Sequence, residues 1–172
     1  PFCDDTGQAI GNIMASLQQK YGSSTHLPLK HAYLGKEYGD EDYIDVLEKR
    51  QVRYILPYEA KSCEIKFKRS KNVCKDTAKL LAEGKIIGWF QGASEIGPRA
   101  LGHRSILCSP FPESNKDIIN KRIKHREAFR PFAPSVLETR VSEYCDMVGD
   151  SPYMLKISKV KKEKKESIAA TI

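Results

Sequence analysis

The sequence predicts an α/β fold, and three features of residues 70–135 predict it. First, Ile86-Ile87-Gly88-Trp89-Phe90 is a compact apolar run of the length and composition of a buried strand, and Ser105-Ile106-Leu107-Cys108 is a second candidate. Second, helical patterns flank this pair. Residues 71–82 place Val73, Ala78, Leu80 and Leu81 on an inward face and stop at Gly84. Ser114-x-x-Asp117 resembles a capping box ahead of Ile118, Ile119 and Ile123, with Pro131 and Pro134 ending that helix. Third, the two strand candidates are separated by a loop holding Gly92, Gly97 and Gly102. A last strand is expected through Tyr153–Ile157, and the charge run Lys159–Glu166 is expected to be a solvated loop or tail.

The preceding residues are organised differently. Ala9, Ile10, Ile13, Met14 and Leu17 follow a helical stripe that starts near Asp4-Asp5-Thr6 and closes at Gly22. Residues 23–40 are polar and punctuated by Pro28, Gly35 and Gly39, the composition of a boundary or linker. A short helix is expected over Glu41–Arg50, from Tyr43, Ile44 and Leu47. The expected division is residues 1–22, a linker over 23–58, and a domain over 59–172. No internal repeat is present.

Composition narrows the function classes. At 172 residues, 40% hydrophobic and 30% charged, the chain has the make-up of a globular protein with a core. No apolar run reaches the length of a membrane span and the first residues do not form a signal peptide, so a cytoplasmic protein without membrane contact is expected. Five widely spaced cysteines (3, 63, 74, 108 and 145) without a C-x-x-C pair argue against a disulfide framework or a zinc site. Cys74 and Cys108 lie in apolar contexts and are expected as small core residues. The net charge of +7 points to an anionic partner: nucleic acid, a headgroup or a phosphorylated small molecule.

Two segments could hold such a partner. In Phe90–Ser105, glycines allow close backbone approach, Pro98 fixes the chain before Arg99, and Arg99 and Arg104 bring planar bidentate donors suited to phosphate or carboxylate. A surface hairpin with solvated arginines is the competing reading, and spacing alone does not choose between them. In Asn120–Ser135, Lys121, Lys124 and His125 share a helical face, Glu127 interrupts the positive charge, and Arg130 stands between Phe129 and Pro131. A solvated basic face is the bland alternative here. Composition and spacing therefore reach an anion site built from two basic segments, and stop there.

Together, Gly88-Trp89-Phe90-Gln91-Gly92, Glu95, Gly97-Pro98-Arg99-Ala100-Leu101-Gly102, Arg104-Ser105-Ile106-Leu107, Lys124, Arg126-Glu127 and Phe129–Ser135 resemble the C-terminal domain of the NodU/CmcH/TobZ family of O-carbamoyltransferases. Tyr33-Leu34-Gly35 and Pro152-Tyr153-Met154 fall in family order, so the likeness covers most of residues 31–157. It departs at His103, where asparagine is common, and at Ala93-Ser94, where Arg-Met is more usual. His103 is expected to pack the loop rather than to catalyse. The resemblance implies a YrdC-like twisted mixed sheet with flanking helices over 59–172. It also implies that residues 1–22 are the terminal helix of an actin-like ATPase-type N-terminal domain, on the pattern of Pro1, Asp5, Gly7, Ala9 and Gly11. The piece is then expected to be truncated at both ends, which leaves its activity in isolation open.

The implied chemistry converts carbamoyl phosphate to carbamate, and carbamate with ATP (Mg2+ accompanying it) to carbamoyl-adenylate and pyrophosphate. The N-terminal domain, expected to carry a divalent metal with Asp5 as one ligand, passes the carbamoyl group to an acceptor hydroxyl. Family binding positions fall on Arg99, Arg104, Lys124 and Arg130, with Ser105 and Ser135 as hydroxyl contacts. Lys124 and Arg99 are assigned to the carbamoyl and adenylate groups, Arg104 and Arg130 to phosphate oxygens. The implied partners are these small molecules and the N-terminal domain, with assembly of copies left open. A basic YrdC-like module acting on tRNA is the second reading; it needs charge spread over a face with exposed aromatics, whereas Phe129 and Phe132 are expected to be buried. A purely structural or partner-binding domain ranks last.

Overall fold

The computed structural model describes residues 5–22, 29–49 and 66–172. The expectations that rest on Pro1, Cys3, Asp4, Cys63 and linker residues 23–28 and 50–58 lie outside them. The chain is mixed α/β, with elements in the order α1 (Gln8–Tyr21), α2 (Asp40–Lys49), α3 (Val73–Ala82), β1 (Ile87–Phe90), β2 (Arg104–Leu107), α4 (Ser114–Ile119) and α5 (Val141–Tyr144).

Helix α1 follows a single 3-10 turn at Asp5–Gly7 and ends where Gly22, at φ 82°, donates its amide to Gln18. None of its residues is buried, although Ile13 and Met14 continue its apolar stripe. Helix α3 is capped at both ends. The Asn72 side chain accepts the Lys75 amide, and beyond the last turn Gly84 (φ 77°) and Lys85 return their amides to Leu81 and Leu80. That pair is a Schellman closure, which needs the left-handed conformation that glycine supplies without strain. Val73 and Leu80, expected inward, are exposed, and Leu81 is half-buried. Cys74 on the same helix is also exposed rather than core, while Cys108 is half-buried.

Strands β1 and β2 pair antiparallel, with Ile87 opposite Leu107 and Phe90 opposite Arg104. Among the described residues this is the whole sheet, so the parallel neighbour that a mixed sheet requires is not seen there. The expected third strand at 153–157 is irregular, because Gly149 (φ 65°) and Met154 (φ 55°) both turn the backbone left-handed. Pairing shifts instead to a bridge between Cys145 and Val160, extended by the Asp146 amide to Lys159 O and the Lys161 amide to Tyr144 O.

Helix α4 begins at the residue expected to cap it. Glu113 is the N-cap, no side chain caps it, and Ser114 is already helical, so the capping box does not form. The helix then widens into a π-helical turn over Asn120–Lys124 and stops at His125 in the left-handed conformation, well before Pro131. The proline stop is thus pre-empted by the turn at His125. The wider turn also takes His125 off the regular helical face that it was expected to share with Lys121 and Lys124. Ile119, Ile168 and Ala170 are buried around α4, and Ala170 donates its amide to Pro110. The charge run therefore leads into packed chain: 3-10 turns cover Lys162–Lys164 and Glu166–Thr171, and Lys161 donates to Ser142 O.

Candidate functional site

The loop between β1 and β2 is built around one carboxylate oxygen. Glu95 Oε1 accepts the amides of Leu101 at 2.8 Å, His103 at 2.7 Å and Arg104 at 3.2 Å. Partial burial pushes its carboxyl pKa up, but the amides of His103, Leu101, Glu95 itself and Arg104 outweigh that and hold it below the ordinary carboxylate value. Three of the five Arg104 N–H groups also turn inward. Nη1 donates to Gln91 O and His103 O and Nη2 to Gly92 O, while the guanidinium lies 3.6 Å from the Phe90 ring centre. Ser105 Oγ accepts the Gly102 amide at 2.9 Å.

Residues 31–38, within the span expected as a linker, fold against this loop. Tyr33 forms a bridge with Glu95, Ile96 donates to Ala32 O, and the Gly35 and Ser94 amides bond to Ser94 O and Lys36 O respectively. A side chain at Gly35 would stand 2.7 Å from Ser94 Cβ, which explains the glycine. The Tyr33 ring stacks on His103 at 3.7 Å between centres, and its hydroxyl donates to Leu101 O. His103 Nδ1 lies 2.7 Å from Ala93 O, so this histidine packs and pins the loop.

The second segment is organised by Asn120, only 1% exposed. Its Nδ2 donates to Ala128 O and Arg130 O, and its Oδ1 accepts Arg126 Nε at 2.7 Å. Arg126 lies 4.7 Å over the Phe132 ring. Arg130 pairs with Glu127 at 2.8 Å, both groups largely solvated, and the Glu127 carboxyl is held low by its own backbone amide first and then by Arg130. Phe129, expected buried, is 79% exposed; the chain reverses at His125 and leaves that ring outside, while Phe132 is half-buried.

The expected site residues therefore divide. Arg104 and Arg130 have partners within the chain, and Ser105 caps its own loop. Arg99 and Lys124 are exposed and, among the described residues, have neither ion-pair nor hydrogen-bond partner. A cleft of about 660 Å³ opens between β2, α4, residues 132–137 and the C-terminal turns. Ser135 lines it beside Ile106, Cys108, Val136 and Arg140, but none of the four expected cations does. Burial pushes the Cys108 thiol pKa up, so it is a weak nucleophile. Asp5 is exposed, and no three His, Cys, Asp or Glu side chains gather into a metal site among the described residues. Asp5 alone does not make a metal site. No described helix is long and apolar enough to cross a membrane.

Sequence reading gave no role to Glu95, Asn120, Arg126 or Tyr33. Glu95 carried a usable signal, being an acid inside a glycine-rich basic loop. Asn120 carried none, since its importance arises only where the helix widens around it.

Residues 78–172 match the family model described as carbamoyltransferase C-terminus. The uncharacterized protein sll1178 of Synechocystis is 35% identical over 95% of this chain and 26% of its own length. Nodulation protein NolNO of Sinorhizobium fredii is 34% identical over 99% of this chain and 24% of its own. Nodulation protein NolO of Bradyrhizobium diazoefficiens is 35% identical over 99% and 30%. The chain thus spans 24–30% of the length of these curated relatives.

Proposed function

Because this chain belongs to the carbamoyltransferase C-terminus family, we propose that it supplies the part of an O-carbamoyltransferase in which carbamoyl-adenylate is made. Carbamoyl phosphate and water give carbamate and inorganic phosphate. A carbamate oxygen attacks the α-phosphorus of ATP, the bond to the bridging oxygen breaks, and pyrophosphate leaves. The carbamoyl group then passes to an acceptor hydroxyl with release of AMP, in a YrdC-like domain working with an actin-like N-terminal domain.

Both reactants are anions, and negative charge grows on the departing pyrophosphate. Fixed cations that do not have to abandon a protein partner are the economical answer. The supporting observation is the division just described: among the described residues Arg99 and Lys124, with Lys121 and Arg122 beside it, have no ion-pair or hydrogen-bond partner, whereas Arg104 and Arg130 hold carbonyls and a carboxylate. Of these, Arg99 and Lys124 are the ones that the family resemblance assigns to the carbamoyl and adenylate groups. Arg104 retains two unspent donors for a phosphate oxygen, and Arg130 reaches one by releasing a solvated glutamate. Mg2+ enters with ATP, and no step is routed through a metal at Asp5.

Calorimetry on the intact polypeptide carrying this segment tests the reading. ATP and carbamoyl phosphate should bind, with affinity lost in Lys124→Ala. Unchanged affinity in that variant contradicts it. The nucleic-acid reading gains one observation, the exposed Phe129 ring beside a basic turn. Salt-sensitive RNA binding without nucleotide binding would favour it.

A further inference from the structure

We propose that Glu95 is the positioning residue of the Gly97–Arg104 loop: it fills the loop's amide nest with the chain's own carboxylate, so that an anionic ligand meets the Arg99 side chain and not the loop backbone. The proposal rests on the reading of Arg99 as a ligand-binding cation.

Glycine-rich loops that bind phosphate do so with converging backbone amides. Here three amides do converge, but on Glu95 Oε1, at 2.7 to 3.2 Å. A phosphate oxygen could take that place only by expelling a carboxylate that carries three charge-assisted bonds. The carboxylate is itself anchored, because Glu95 bridges Tyr33 and the next amide, Ile96, donates to Ala32 O at 2.7 Å. The Leu101 residue is gripped from both sides, its amide by Glu95 and its carbonyl by the Tyr33 hydroxyl. Gly102 is held likewise, its carbonyl accepting Gln91 Nε2 and its amide bonding to Ser105. Among the described residues, 97–100 make no hydrogen bond. They form a short tip between two fixed points, and Arg99 is its one charged side chain. Pinning the ends of so short a tip limits where Arg99 can reach, which lowers the entropy lost when it binds.

The test uses the intact polypeptide and calorimetric titration with ATP in the presence of carbamoyl phosphate. Glu95→Ala should raise Kd up to about tenfold at unchanged stoichiometry, since ordering a freed rotamer-rich side chain on binding costs affinity on that order. Sodium formate, a carboxylate small enough for the vacated nest, should restore part of the loss. A merely destabilised protein would instead bind with the original Kd at reduced stoichiometry, and that result overturns the proposal. Should Glu95→Ala fail to fold, Glu95→Asp decides. It keeps the charge but withdraws the oxygen by one methylene; a raised Kd supports the proposal and a wild-type Kd overturns it. Arg99→Ala separates the two claims. Wild-type affinity there defeats the reading of the site itself, whereas lost affinity there with an unchanged Kd in Glu95→Ala defeats the positioning role alone.

Discussion

In residues 91–105 a carboxylate gathers backbone amides, whereas in residues 120–130 a carboxamide gathers backbone carbonyls and a guanidinium. The first hub is half-buried and charged; the second is buried and neutral. Among the described residues the loop leaves Arg99 without a partner and the turn leaves Lys121, Arg122 and Lys124, while a neighbouring arginine is turned inward or paired. Two basic segments thus reach the same output by opposite chemistry. The difference is that the loop's shape depends on a carboxylate that acid can discharge and the turn's does not.

That contrast can be broken in several ways. The largest effect is expected from Asn120→Ala, which strands two carbonyls and a guanidinium beside a fully buried position. A loss of about 2–4 kcal/mol in urea unfolding is expected, and a loss within error would show that the hub is dispensable. Next is Gly35→Ala, whose new Cβ would stand 2.7 Å from Ser94 Cβ and 2.9 Å from Ser94 O. Separating residues 31–38 from the loop should cost about 1–3 kcal/mol, read as a lower unfolding midpoint.

Acid should distinguish the hubs more finely. Glu95 has a lowered folded pKa, so its contribution is fully present above the ordinary carboxylate value and is lost as pH falls through the folded one. Urea midpoints should therefore fall with acid in the wild type, and less steeply in Glu95→Gln. Asn120 adds no such slope. The smallest effect belongs to Glu127→Gln. Its ion pair with Arg130 is solvated, so the midpoint should not move, while Arg130 is released for ligand.

Local pattern made much of this legible. The α1 and α3 stops at Gly22 and Gly84, and the two strands flanking the glycine loop, follow from periodicity and from glycine's access to positive φ. What local pattern missed were non-local choices. Nothing near Tyr33 says that it will stack on His103, seventy positions away, because that contact depends on where the loop comes to rest. The end of α4 was misplaced for a related reason: the buried Asn120 collects carbonyls from Ala128 and Arg130, and the helix widens and stops there rather than at the prolines. The cationic residues were visible as types. Which of them would be spent internally was not, since that is decided by carbonyls and a carboxylate brought close by folding.

The most direct measurement of the central claim is carbamoyl-phosphate-dependent exchange of labelled pyrophosphate into ATP by the intact polypeptide. Exchange should occur without any acceptor hydroxyl, and should be abolished in Lys124→Ala and Arg99→Ala. No exchange in the wild type, or full exchange in both variants, would contradict it.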